Sequence, residues 1–148
     1  MGICRVGVLL PLVCGAGCAL AVAGCGASVV RTGEVDLVDV NLATIGRVYA
    51  QAEQTLGRPP LAADELKPFL PAGTVLDTLL VSPTDNQRYT IVWGTKVLST
   101  PDPKMIIAYE RNGANGMRHV LTPAGTRMLS AEAFAASQFP PGHKPDVP

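Results

Sequence analysis

The sequence predicts an α+β fold, a long N-terminal helix packed on a small antiparallel β-meander, and three observations carry that prediction. Leu42, Ile45, Val48, Tyr49, Ala52 and Leu56 recur at spacings of three and four, the apolar stripe of a helix. Tyr89, Ile91 and Trp93 alternate with Arg88, Thr90 and Val92, the period of a half-buried strand. Two Asn-Gly pairs, at 112–113 and 115–116, then offer the strongest short signal for a hairpin.

The elements follow in order. The stripe places the first helix at 38–56, about 30 Å long at 1.5 Å per residue. Asp36 and Asp39 lie near its start, where the helix dipole favours carboxylates, and Gly57 to Pro60 stop it. A shorter helix falls within 61–71, with Asp64 and Glu65 in its first turn and Leu66, Phe69 and Leu70 as its apolar side; Pro68 limits its regularity. The stretch 74–81 reads as either strand or helix, and 82–86 as a turn. Strands are expected at 88–93, 104–110, 118–122 and 126–129, with a type I turn at Thr122-Pro-Ala-Gly125. Ser130 is placed to cap a short closing helix from Ala131. Residues 137–148 are rich in Pro and read as a disordered tail.

Upstream of the domain lies a different kind of sequence. Arg5 precedes an uncharged apolar run, 6–23, which ends in small residues, the layout of a secretory signal peptide. Its length would also permit a membrane span. Pro11, Gly15 and Gly17 make it a poor long helix, so a cleaved signal is favoured over a retained span. Its exit, Val22-Ala23-Gly24-Cys25, resembles the bacterial lipobox: an aliphatic residue, two small residues and a Cys. That resemblance implies lipidation at Cys25 and cleavage before it. Two or three acyl chains on one residue anchor a protein far more firmly than a single chain, which binds only marginally. The expected organisation is a signal peptide at 1–24, a lipidated cysteine and tether at 25–36, an α+β domain at 37–136 and the tail at 137–148. Gly26 stands where an Asp often retains such proteins at the inner membrane, which favours the outer membrane.

Charge and cysteine content narrow the function classes. Beyond residue 24 there are eleven basic and twelve acidic residues, a net charge of −1, and the basic residues are scattered singly. That is no footprint for nucleic acid. Cys4, Cys14, Cys18 and Cys25 all lie in the export segment, so the domain itself has neither disulfide nor cysteine-based zinc ligands.

Three segments carry a family resemblance: Ile106-Ile-Ala-Tyr-Glu110, Gly116-Met-Arg-His-Val-Leu121 and Gly125-Thr-Arg-Met-Leu-Ser-Ala-Glu-Ala-Phe134. Together with 42–49 and 59–66 they resemble pilin-like proteins abundant in planctomycetes. The resemblance covers about Val40 to Phe134 and implies a long helix on a meander and a non-enzymatic surface or envelope role. Ala124-Gly125 stands where that family has Asp-Gly, and no prepilin cleavage site precedes the apolar segment, so assembly into a fibre does not follow.

No residue downstream of Cys25 is assigned a catalytic, cofactor-binding or metal-ligating role. His119 and His143 lack further ligands at metal-site spacings, and His119 is expected to be solvated or on an edge strand. Asp64 and Glu65 read as helix-start charges, Ser130 as a cap, and Ser82 has no nucleophile motif around it. Trp93 and Tyr89 are expected to cover the first helix in the core rather than to form a binding surface. The expectation is a membrane-anchored envelope lipoprotein with a structural or protein-interaction role, without cofactor, touching the membrane through its lipid and an envelope protein as partner. The alternative is an accessory enzyme or small-ligand carrier; a concave pocket lined by Tyr109, Glu110 and His119 would favour it.

Overall fold

A computed structural model describes residues 36–100 and 102–145. The chain divides into two compact units, Met1–Thr32 and Gly33–Pro148, and the described residues all belong to the second. Cys25, the lipobox and the tether up to residue 35 lie outside the described residues. No helix among those described is long and apolar enough to cross a membrane.

The second unit is an α+β domain. Helix α1 spans Leu37–Leu56. Asp36 caps it, its Oδ1 accepting from the Val38 N–H at 2.9 Å, and Gly57 ends it with left-handed backbone at φ 68°. A 3₁₀ helix follows at Ala63–Phe69, tightened around Pro68 and burying Leu66. Helix α2, Leu76–Leu79, resolves the ambiguous stretch as helix. Leu76, Leu79 and Leu80 all turn into the core, spaced by three and four.

Four strands form one antiparallel sheet in sequence order: β1 (Thr90–Ile91), β2 (Ala108–Tyr109), β3 (Met117–Thr122) and β4 (Gly125–Ser130). The meander is the one expected, but β1 and β2 are only two residues long. Ile107 donates to the Leu121 carbonyl at 2.9 Å, and Ile107 and Ala108 both join the core under α1. Two successive residues on one face break the pleat there. Helix α3, Ala131–Ala135, begins where Ser130 Oγ accepts the Ala133 N–H at 3.2 Å, the cap read from sequence.

Both faces of the sheet are covered. On one, α1 lays Val38, Leu42, Ile45, Val48, Tyr49 and Ala52 against Tyr89, Ile91, Ala108 and Leu121. Trp93 packs half-buried at the margin of this core, stacked on Tyr49 with centroids 6.1 Å apart. On the other face, Ile106, Tyr109, Val120 and Phe134 form a second cluster with Leu129 and Phe139.

The second cluster corrects the expected disordered tail. Residues 137–145 lie against the sheet: Ile106 donates to the Gln138 carbonyl at 2.9 Å, and Phe139 meets Phe134 at 5.2 Å. The Tyr109 hydroxyl and His143 Nε2 are 3.1 Å apart. A Pro-rich composition argued for disorder, but the apolar face around Tyr109 needed cover, and Phe139 supplies an aromatic ring for it.

The β2–β3 connection turns on glycine. Ala114 and Met117 bridge across Asn115-Gly116, whose φ values of 53° and 71° fit the two-residue turn favoured by hairpins. Gly113 has φ 68°, and a Cβ there would lie 2.1 Å from the Met117 carbonyl oxygen; one on Gly116 would meet nothing within 4 Å. Gly116→Ala is therefore expected to cost about 1–2 kcal/mol, the ordinary penalty of a left-handed L-residue. Gly113→Ala adds overpacking and is expected to cost at least about 3 kcal/mol. Urea unfolding of the two variants checks this, and equal losses would contradict the close contact at Gly113.

Candidate functional site

Beneath the first turns of α1 runs a seam of buried polar groups. At its centre is Glu110, immediately after β2 and fully buried. Its Oε1 accepts from Ser82 Oγ at 2.6 Å, and its Oε2 accepts from the His119 N–H at 2.8 Å. Ser82 is also fully buried, and its Oγ accepts the Thr84 N–H at 3.1 Å. Both sides of the carboxylate are thus met by donors, which a buried carboxylate requires.

The seam continues on the β3 side through the His119 ring. Nδ1 lies 3.0 Å from Asp39 Oδ1, and Nε2 lies 3.4 Å from Asp36 Oδ2. His119 is 8% exposed and sits on β3, between β2 and β4. This corrects the expectation of a solvated or edge-strand histidine. The cause is tertiary: β3 passes beside the start of α1, whose two aspartates meet both ring nitrogens. When the ring is protonated, both nitrogens donate, one to each carboxylate.

Asp36, Asp39 and His119 also offer ligand atoms within 4.8 Å of one another. Two features weigh against a metal ion there. The two ring nitrogens face different carboxylates, so one ion cannot use both contacts. The group also sits at a helix N-terminus, whose partial positive charge disfavours cations.

On its other side the seam reaches Tyr89. This side chain is 6% exposed, and its hydroxyl lies close to Ser82 and Asn41, short of full hydrogen-bond geometry to either. Asn41 and Ser82 in turn line an open cleft of about 620 Å³, with Leu37, Thr78, Asp77 and Asn86. Asp77 on its rim is ion-paired to Arg88. A second cleft, about 600 Å³, lies between the 93–102 loop and the C-terminal segment, lined by Trp93, Lys96, Met105, Gln138 and Phe139 among others.

The other residues singled out by sequence are placed as follows. Glu65 makes a bidentate pair with Arg58 at 3.0 and 3.1 Å, and Asp64 pairs with Lys67 at 2.7 Å. Those partners hold both carboxyls below their ordinary range. Tyr109 faces the second aromatic cluster, on the opposite side of the sheet from the His119 ring, so Tyr109, Glu110 and His119 are packing and seam residues rather than three walls of one pocket. The grouping of Ser82, Glu110, Asn41 and Tyr89 was not read from sequence. Asn41, Glu110 and the 82–89 segment lie far apart in the chain, and no spacing rule connects them.

Farther along α1, Tyr49 and Glu53 hold the loop after β1. The Tyr49 hydroxyl donates to the Thr95 carbonyl and accepts the Thr95 N–H, each at 3.0 Å. Glu53 Oε2 accepts the N–H groups of Val97 and Leu98 at 2.8 and 3.2 Å. Burial pushes the Tyr49 phenol up to about 12, opposed by the Thr95 backbone and reinforced by Glu53. Burial likewise pushes Tyr89 up to about 12, opposed by Ser82 and Asn41, with Glu110 and Asp85 adding to the rise.

Two outcomes follow from this geometry. His119→Ala is expected to cost about 2 kcal/mol, the usual scale for hydrogen bonds to charged groups. A double-mutant cycle with Asp39→Asn should show coupling of about 1 kcal/mol; strictly additive losses would deny the pair. The raised tyrosines make a second mark. The folded state keeps those protons above the ordinary phenol value of 10.0, so their contribution is intact below it and is lost as pH rises towards about 12. Phenolate absorbance should therefore rise late and together with unfolding, and full ionisation of the folded protein near pH 10 would contradict it.

Comparison with protein-family models, with curated proteins and with solved structures finds no match.

Proposed function

We propose that this chain is a lipid-anchored protein of a bacterial cell envelope, whose domain has a non-catalytic structural or protein-contacting role. The observation that carries the proposal is Val22-Ala23-Gly24-Cys25 at the exit of an apolar segment. Only ten residues separate Cys25 from Asp36, the cap of α1. Pull on a lipidated Cys25 would reach the domain at that cap. His119 ties this end of α1 to β3 through Asp36 and Asp39, an arrangement suited to a tethered domain. The order of a long helix and then a meander supports kinship with the pilin-like proteins, with a lipid in place of their membrane-embedded helix stub. Small-ligand binding is the second reading, favoured by the cleft that opens beside the buried Ser82. The envelope partner is any protein that meets the exposed edge of β4 or the hairpin tip at 114–116.

Intact mass spectrometry of membrane-extracted protein tests the anchor. The expected mass is that of residues 25–148 plus acyl chains, and Cys25→Ser is expected to accumulate as unprocessed precursor. A full-length unmodified mass, or normal processing of Cys25→Ser, would sink the lipobox reading and make 6–23 a retained span.

A further inference from the structure

Three exposed apolar side chains gather where the chain enters the described domain. Leu37, 63% exposed, opens α1 directly after Asp36. Val40, 43% exposed, stands one turn farther on, and residues three apart are neighbours on a helix surface. Val75, 62% exposed, immediately precedes α2. Leu37 and Val75 share a surface through common neighbours: Asn41 and Thr78 line the cleft beside Leu37 and also a smaller cleft, about 260 Å³, beside Val75. Apolar residues exposed singly are ordinary, whereas a group of them on one surface marks a contact.

The position of Cys25 says what makes that contact. Ten residues lie between Cys25 and Asp36, and a chain of that length spans at most about 40 Å. A membrane that holds Cys25 is therefore always within reach of Leu37, Val40 and Val75. A short tether also holds the two at an effective concentration of about millimolar, so a contact too weak for a free protein suffices. Neither cleft is lined by an unpaired cation that could read an anionic headgroup, and the carboxylate at their rim, Asp77, is paired with Arg88. Farther along α1, Arg47, Gln51 and Gln54 are exposed, so the apolar surface is confined to the end of the helix nearest Cys25. We infer that this end of the domain lies on the bilayer, with Leu37, Val40 and Val75 entering its interfacial region by apolar contact rather than by charge. The inference rests on the reading of Cys25 as acylated.

The test uses the full acylated chain in neutral phosphatidylcholine vesicles. Cys25 is the only cysteine beyond residue 24, and acylation blocks its thiol, so Leu37→Cys, Val75→Cys and Leu98→Cys each offer one site for an environment-sensitive fluorophore. Position 98 is the control: it is 59% exposed, and its N–H is held by Glu53, sixteen residues along α1 from Leu37 or about 24 Å. Labels at 37 and 75 are expected to emit at shorter wavelength and to be quenched by spin-labelled lipid at least about threefold more than the label at 98. The difference should survive an increase in salt of about tenfold, which screens charge but leaves apolar contact in place. Leu37→Ser in the Val75→Cys chain is expected to reduce quenching at 75 by about half while leaving the melting temperature unchanged, because Leu37 is outside the core. Equal quenching at all three positions, its absence at 37 and 75, or its loss in high salt would overturn the inference. Intact mass and co-sedimentation with the vesicles report the anchor separately. An acylated chain that co-sediments with every label in water refutes the docking alone; an unacylated chain that stays in solution refutes the anchor and the docking with it.

Discussion

The carboxylate of Glu110 sets the terms for the half of the domain around it. A buried carboxylate without donors costs several kcal/mol, so the chain must bring donors to it. Ser82 supplies one and the His119 N–H the other. Glu110 and His119 lie opposite each other across β2 and β3, and the Glu110 N–H does donate to the His119 carbonyl at 3.0 Å. The reciprocal bond is taken by the Glu110 side chain rather than by its carbonyl. The ladder therefore stops being regular there, which accounts for β2 ending at Tyr109. The same carboxylate fixes the 82–86 turn against the sheet. Asp85 in that turn then accepts the N–H groups of Asn112 and Gly113 at 3.0 and 3.3 Å, tying the turn to the hairpin.

Short strands leave many backbone groups to be satisfied by other means. Helix α1 answers much of that need, which is why it does more than bury an apolar stripe. Its N-terminal carboxylates hold the His119 ring, and Tyr49 and Glu53 hold the loop after β1. Tyr49 belongs to the apolar stripe and the carboxylates flank it, so burying the stripe also brings them to their partners. The apolar core positions the helix, and the hydrogen bonds fix the loops that the two-residue strands leave unpaired.

This division explains what was legible in the sequence. Helix α1 was readable nearly to the residue, because its stripe, caps and stop signals are all local. Strands β3 and β4 were readable for the same reason, framed by Asn-Gly and Pro-Ala-Gly turns. The lengths of β1 and β2 were not, since their early ends depend on a bulge at Ile107 and on the Glu110 side chain. His119 was misplaced because its partners are eighty residues away, and a lone histidine in an alternating strand gives no sign of them. The segment after 137 was misplaced because composition reports average tendency, whereas one ring at Phe139 was enough to seat it on an apolar face.

Two buried polar atoms have no hydrogen-bond partner among the described residues, and they are not equivalent. One is Nη1 of Arg118, whose guanidinium lies 4.0 Å from the centre of the Phe134 ring. A desolvated cation over an aromatic face gains about 2 kcal/mol, so the ring compensates part of what the missing hydrogen bond costs. Arg118 also sits within the second aromatic cluster, where its stem covers apolar surface. The other is the Tyr89 hydroxyl, which faces no ring but has the polar side chains of Ser82 and Asn41 beside it. A phenylalanine at 89 would fill nearly the same volume without the unpaired group. Ser82 and Asn41 are its nearest polar groups and stand short of full hydrogen-bond geometry, so its cost is met by polar surroundings rather than by a ring.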